Sequence, residues 1–154
     1  MMNEGLFFLQ LLVVLALGWG AFRLGASALT TWSALQLVLA NLFILKQIDF
    51  FGFHITCSDA FAVGGMTTLN LLSEFHGKEQ ARKALWITFF SMGAVVLLSQ
   101  IHLAYYPSAY DTAHSAFTLL LSPAPRLLFA SLIVFFIAQQ LDLHLFDTLR
   151  KRLP

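Results

Sequence analysis

The chain consists largely of long apolar stretches separated by short segments that carry charges or prolines. We predict five helices from this pattern, at about residues 5–22, 28–45, 55–75, 84–106 and 127–146. Each has close to the roughly 20 residues that a helix needs to cross a bilayer. Backbone polar groups in lipid must be paired within the protein, and the alternation typical of barrel strands is absent from the sequence. We therefore expect an all-α, polytopic membrane helical bundle with a single transmembrane domain over residues 1–154.

Two parts of this pattern are less regular than the rest. The third stretch is the weakest by hydropathy, because it includes several polar residues. The segment AYDTAHSAFTLLL, residues 109–121, is too short to span a membrane while Asp111 and His114 remain in water. We expect this segment to be interfacial or re-entrant.

Composition strengthens the membrane assignment. Hydrophobic residues make up 58% of the chain and charged residues 11%, against roughly 25% charged residues in ordinary soluble domains. The formal net charge is +1 and no basic block occurs, so nothing predicts a nucleic-acid partner. Lipid is the expected environment. Cys57 is the single cysteine, which excludes an intrachain disulfide and a cysteine-based metal cluster.

The distribution of Lys and Arg predicts an orientation. With the N-terminus outside, the inner connections hold Arg23, Lys78, Arg82, Lys83, Arg150, Lys151 and Arg152, and the outer connections hold Lys46 and Arg126. Positive residues in short connections favour the cytoplasmic side. This seven-to-two distribution predicts an outer N-terminus and a cytoplasmic C-terminus in a cell inner membrane.

Polar side chains interrupt the last apolar stretch at FIAQQLDLHLF, residues 136–146. Gln139 and Asp142 are three residues apart and share a helix face, and Gln140 and His144 share a neighbouring face. A central Asp costs about 2.5–3.5 kcal/mol on insertion scales, so these residues should face protein or water. Alternatively, Asp142 and His144 reach only the headgroups.

A second polar group lies on the third predicted helix. Asn70 and Glu74 share a face at about the depth of Gln139 and Asp142, while Asn41, Lys46 and Asp59 form a corresponding outer layer. Amides offer both donors and acceptors and aromatic faces stack, so the layers suggest a compartment for a polar, planar solute. The predicted substrate-binding residues are Asn41, Asn70, Glu74, Gln139 and Asp142. The predicted gating or charge-pairing residues are Lys46, Asp59, Arg82 and Arg126. Alternatively, Asn41, Lys46 and Asp59 are ordinary residues of the membrane interface.

Motifs of catalysis are missing from the sequence. The five histidines form neither an H-x-x-x-H nor an H-E-x-x-H pair, and no G-x-S-x-G, P-loop or G-x-G-x-x-G motif occurs. We predict neither an enzyme nor a bound metal or cofactor.

Three stretches together resemble the queuosine-precursor transporters, the YhhQ-like proteins that are also called vitamin uptake transporters. They are LANLFILKQIDFFGFHIT, then LNLLSEFHGKEQARKALWITFF, then RLLFASLIVFFIAQQLDLHLFDTLRKR. The resemblance covers most of residues 35–152. It implies import of 7-deazaguanine bases, such as 7-cyano-7-deazaguanine, 7-aminomethyl-7-deazaguanine or queuine, which are used to make the tRNA nucleoside queuosine.

The chain departs from this family pattern at two places. Many relatives have an acidic residue where this chain has Asn70, so the polar pair with Glu74 has one charge fewer. Relatives also continue past the RKR segment into at least one further helix, while this sequence stops at Pro154. We therefore expect either a missing C-terminal partner segment or a homo-oligomer.

Two other interpretations fit the same sequence. In the first, the fold is kept and the solute is a vitamin or another nucleobase. In the second, the chain is a small non-transport subunit of a membrane complex, in which Gln139 and Asp142 join helices by hydrogen bonds. Uptake by cells expressing this chain alone separates the second interpretation from the others, and competition between solutes separates the two kinds of cargo.

Overall fold

A computed structural model describes residues 2–131, 133 and 134. The elements, in chain order, are α1 (Met2–Leu24), α2 (Ala26–Phe43), β1 (Gln47–Phe50), β2 (Phe53–Thr56), α3 (Asp59–His76), α4 (Lys78–Leu103) and α5 (His114–Leu121). Residues 124–131, 133 and 134 are also helical. The predicted helix over about 127–146 lies mostly outside the described residues.

The prediction of an all-α membrane protein is confirmed, with one short hairpin added. Within the described part, α1, α2 and α4 are long and apolar enough to cross a membrane. Helix α3 is less apolar than these three helices, as its weak hydropathy predicted. It nevertheless packs mainly against α2 and α4. One of its polar side chains, Thr68, is buried between these helices.

Several helices begin or end away from the predicted residues. The third begins at Asp59 instead of about residue 55, because 53–56 form β2. The fourth begins at Lys78 instead of about residue 84. Its first turns are KEQARK, which are good helix formers that hydropathy alone leaves out. Within the predicted interfacial segment, α5 forms a helix of only 8 residues.

The hairpin fastens the connection between α2 and α3 onto the start of α1. Its strands are antiparallel, with Phe50 paired to Phe53, and both turn residues, Phe51 (φ 48°) and Gly52 (φ 83°), have positive φ. Two such residues are typical of the tight turn that suits the strand twist. The Asn3 side chain donates to Asp49 O at 3.1 Å, and the rings of Phe7 and Phe50 lie 4.9 Å apart. We call this the hairpin end of the bundle.

The opposite end, here the turn end, has two one-residue connections. Gly25 (φ 99°) joins α1 to α2 and Gly77 (φ 89°) joins α3 to α4, in a backbone region that L side chains rarely adopt. The rings of Phe22 and Phe75 lie 4.9 Å apart beside these turns. A core of Ala21, Leu29, Leu72 and Ala84 fills this end, and a second core of Met92, Val96 and Ala124 lies toward the hairpin end.

Candidate functional site

Helix α2 is the central helix, because it packs against α1, α3 and α4. Its buried face follows the helical repeat through Leu29, Ser33, Gln36 and Ala40. Ser33 and Gln36 are thus directed to the interior between the two apolar cores. Gln36 is completely buried (0% exposed), which is unusual for an amide in a bundle of apolar helices.

A chain of hydrogen bonds connects Gln36 to α3. Gln36 Nε2 donates to Thr68 Oγ1 at 3.1 Å, and the Thr68 hydroxyl donates to Gly64 O at 2.8 Å. Because the Thr68 proton goes to Gly64, its oxygen acts as an acceptor toward the amide. In this arrangement the NH₂ group of Gln36 faces Thr68.

A second, longer contact connects α2 to α4. The Thr88 hydroxyl lies 3.4 Å from Ser33 Oγ, and both side chains are buried. Ser33, Gln36, Thr68 and Thr88 therefore form a group contributed by three helices, which we call the central polar layer. In lipid-spanning bundles such side chains hydrogen-bond across helices, so the layer can hold the bundle together, bind a solute, or do both.

One atom of the central polar layer has no partner. No described residue donates to Gln36 Oε1, although the atom is buried. A buried acceptor left unpaired costs about 1–3 kcal/mol. The oxygen lies against Gly64, where an added Cβ would overlap Gln36 Oε1 and approach Val14 Cγ1 to 2.8 Å. Gly64 thus permits the close approach of α2 and α3 that encloses this oxygen.

An open pocket of about 380 Å³ lies at the hairpin end, where α4 meets the loop before α5. His102, Tyr105, Tyr106, Asp111, His114 and Phe117 are among the residues that line it. The rings of His102 and Phe117 are 5.3 Å apart. Asp111 Oδ1 accepts from the backbone N–H groups of Ala113 (2.8 Å) and His114 (3.2 Å), which holds the start of α5. The pocket combines aromatic faces with polar groups and has a volume typical of small-molecule sites.

The predicted substrate-binding residues do not line the central polar layer. Asn41 is half-buried, and its amide donates to Leu37 O of its own helix at 2.9 Å. Asn70 and Glu74 lie on a face of α3 that no described residue covers. Gln139 and Asp142, with Gln140 and His144, lie outside the described residues. Their proximity to Asn70 and Glu74 remains a prediction.

The predicted gating residues divide between the two ends. Lys46 and Asp59 are both exposed at the hairpin end, where Cys57 N donates to Lys46 O and Thr56 Oγ1 donates to Asp59 Oδ1. Arg82 is exposed near the turn end, and Arg126 is exposed at the start of the last described helix. A separate polar contact at the hairpin end joins His54 Nδ1 to Asp49 Oδ1 at 2.6 Å.

Gln36 is the residue that the sequence argument missed. It lies in the run SALQLVLAN, where a single uncharged amide hardly changes the hydropathy. A signal was present, since Ser33, Gln36 and Ala40 are the small or polar members of one helical face. Gly64 is a second signal, because small residues let membrane helices approach closely, but only the structure shows that the partner is this amide.

Comparison with known proteins identifies the family. Residues 61–153 match the family model described as "Putative vitamin uptake transporter". The chain belongs to this family. It is also 27% identical over 130 residues to a Bacillus subtilis (strain 168) protein named "Probable queuosine precursor transporter", covering 84% of this chain and 57% of that protein. The chain thus spans little more than half the length of this relative. No solved structure matches the chain.

The family expected from the sequence is therefore confirmed, and with it a membrane protein of a transporter family. The matched region begins inside α3 and includes α4, α5 and FIAQQLDLHLF. It contains Gly64, Thr68 and Thr88, while Ser33 and Gln36 precede it. The match to the Bacillus subtilis protein is longer, and the name of that relative includes a solute, a queuosine precursor.

Proposed function

We propose that this chain is an inner-membrane uptake transporter, not an enzyme, for 7-deazaguanine precursors of queuosine. The observation that carries the proposal is a buried layer of amide and hydroxyl groups inside an apolar bundle of this family. The name of the Bacillus subtilis relative supports the choice of solute. A 7-deazaguanine is planar and has an edge of N–H donors and a carbonyl acceptor, which amides and hydroxyls can match.

The pocket at the hairpin end suits the first contact with such a base. Its histidine, tyrosine and phenylalanine rings offer stacking faces, and it opens at the end of the bundle. The base would then move along the bundle toward the central polar layer and on to the turn end. Uptake in this direction requires that the hairpin end face the outside.

The charges of the described residues favour that orientation. Arg23, Lys78, Arg82 and Lys83 lie at or near the turn end, and Lys46 and Arg126 are the Lys and Arg residues toward the hairpin end. The positive-inside rule thus directs the turn end to the cytoplasm. In a Cys57→Ser background, we expect Glu79→Cys to react only with cytoplasmic thiol reagent and Ser108→Cys only with external reagent. The reverse pattern would contradict the orientation.

The exposed polar face of α3 also enters the proposal. Asn70 and Glu74, with Gln139 and Asp142, would bind the base near the cytoplasmic side or gate its release. The face would be closed by a further segment of the transporter or by a second copy of the chain, because polar groups facing lipid are unfavourable. The layers at the two ends would contain the other predicted binding and gating residues, which are Asn41, Lys46, Asp59, Arg82 and Arg126.

Recovery of queuosine in tRNA tests this proposal. A bacterial strain that cannot make 7-deazaguanines is supplied with 7-cyano-7-deazaguanine at a nanomolar concentration. We expect queuosine in its tRNA when this chain is expressed and none with an empty vector. Loss of a charge-assisted hydrogen bond is worth about 1.5–3 kcal/mol, so Asp142→Ala should require a far higher base concentration, with Asp142→Asn intermediate.

Two outcomes of the same assay would favour the other interpretations. Failure of the chain at equal membrane levels, with rescue by a co-expressed partner, would favour a subunit of a larger complex. Uptake that an excess of a vitamin or another nucleobase abolishes, and that excess 7-deazaguanine leaves unchanged, would change the solute. Wild-type uptake by Asp142→Ala at limiting base would remove the binding role of that residue.

A further inference from the structure

The oxygen of the Gln36 amide is a buried acceptor that lacks a donor among the described residues. Gln36 is 0% exposed, and no described residue donates to its Oε1. Apolar residues, including Leu29, Leu72 and Met92, form the two described cores on either side of it, and these cores offer no donor. In hydrocarbon, lipid cannot supply one either.

The amide is also held so that only an acceptor is presented. Its NH₂ group donates to Thr68 Oγ1, and the Thr68 proton is already given to Gly64 O. Reversing the amide would place two hydrogen-bond acceptors, Gln36 Oε1 and Thr68 Oγ1, toward each other unless Thr68 also released Gly64 O. The hydrogen-bond chain thus keeps Oε1 available for an N–H or O–H from outside the bundle.

Gly64 makes this acceptor accessible only after a movement. The Gln36 oxygen lies in the space that a Cβ at residue 64 would occupy, so α2 and α3 are in direct contact there. Gly65, the next residue, has only Gln36 Cβ at 4.0 Å from its own ideal Cβ. Uncovering Oε1 therefore requires α2 and α3 to separate at Gly64.

We propose that Gln36 Oε1 reads the N–H edge of the transported base and selects solutes that donate there. The inference rests on the proposed function and deepens it, because it assigns one recognition contact within that pathway. A 7-deazaguanine donates from its ring N1–H and from its exocyclic amine, and one of these two groups pairs with the buried oxygen. A solute without the matching N–H leaves the oxygen unpaired and is rejected when the helices close.

Competition between three bases tests the assignment. Purified chain in lipid nanodiscs is given radiolabelled 7-deazaguanine and is challenged with unlabelled 7-deazaguanine, 7-deazahypoxanthine, which lacks the exocyclic amine, or 1-methyl-7-deazaguanine, which lacks the ring N–H. We expect the wild type to bind at least one analogue about tenfold more weakly than 7-deazaguanine. In Gln36→Met, this preference should fall to about twofold or less.

Two further variants separate recognition from packing. Gln100→Met is the matched control, because Gln100 is a half-buried amide whose NH₂ donates to Leu121 O at 3.1 Å, and it should keep the wild-type preference. Gln36→Asn keeps an amide but withdraws it by one methylene. It should lower the preference as Gln36→Met does, and it replaces that variant if the latter does not accumulate.

The outcomes distinguish this inference from the proposed function. If the wild type binds 7-deazaguanine but both analogues compete equally well, the reading of an N–H edge is wrong. The same holds if the Gln36 variants retain the wild-type preference. If the wild type binds no 7-deazaguanine, the proposed solute itself is wrong and this assignment is withdrawn with it.

Discussion

Polar side chains occur in two contrasting regions of this bundle, the central polar layer and the outward face of α3. In the layer, Ser33, Gln36, Thr68 and Thr88 are buried and bonded across helices. On the outward face, Thr67, Asn70 and Glu74 are exposed beside Val63 and Met66. Helix α3 contributes to both regions, because Thr67 lies on the outward face and the adjacent Thr68 lies in the layer.

The contrast shows that polarity has different consequences on the two faces of α3. Thr68 connects helices and positions the Gln36 amide, whereas Thr67 bonds only to Val63 O of its own helix among the described residues. The layer therefore contributes to the stability of the described bundle. The outward face adds little to the stability of the described bundle, so changes there should affect function separately. Substitutions of adjacent residues can test this difference directly.

The largest effect on stability is expected at Gly64. Gly64→Ala places a Cβ on the Gln36 oxygen and beside Val14, so it should force α2 and α3 apart and cost about 1–3 kcal/mol. Gly65→Ala is the matched control and should change stability by less than about 0.5 kcal/mol. Unfolding of the purified chain measures both. Equal effects at the two glycines would contradict the close contact at Gly64.

A smaller loss of stability is expected from removing the Thr68 hydroxyl. Thr68→Val leaves the Gln36 NH₂ group without its acceptor and should cost about 1–2 kcal/mol. Thr67→Val removes a hydroxyl of the same kind on the outward face and should cost less than about 0.5 kcal/mol. The same unfolding measurement compares them. If Thr67→Val is the more damaging, the outward face is a packed interface.

The smallest change in stability is expected at Asn70, where function should respond instead. Asn70→Leu removes an exposed amide and should change the unfolding free energy by less than about 0.5 kcal/mol. If Asn70 binds the base, uptake at limiting concentration should fall about tenfold. Met66→Leu, on the same exposed face, is the control and should leave uptake unchanged. Wild-type uptake by Asn70→Leu would remove the residue from the binding set.

The sequence predicted the helical class because apolar runs such as those of α1 and α4 dominate hydropathy. It did not predict the hairpin. QIDF and FHIT are only four residues each, and their turn uses Phe51 at positive φ, which is uncommon for a residue other than glycine. The resemblance to the family rests on longer stretches of sequence, in which a four-residue strand has little effect.

The sequence did not predict the central polar layer, for a physical reason. Charged residues such as Glu74 and Asp142 stand out in an apolar sequence. A single glutamine such as Gln36 changes the mean hydropathy of its helix very little. Its role depends on the neighbouring residues of α3 and α4, which the sequence does not identify. Which face of α3 turns inward also depends on packing, and this decides that Thr68 is buried while Asn70 is exposed.

Solute protection of a cysteine within the central polar layer tests most directly whether this layer lies on the transport pathway. Ser33→Cys, in a Cys57→Ser background, introduces a thiol of similar size at a residue that is 2% exposed. During transport, a small polar thiol reagent should modify it slowly, and saturating 7-deazaguanine should reduce that rate about tenfold, while hypoxanthine at the same concentration reduces it much less. A thiol that never reacts, or that reacts at the same rate with and without 7-deazaguanine, would show that the layer only holds the helices together.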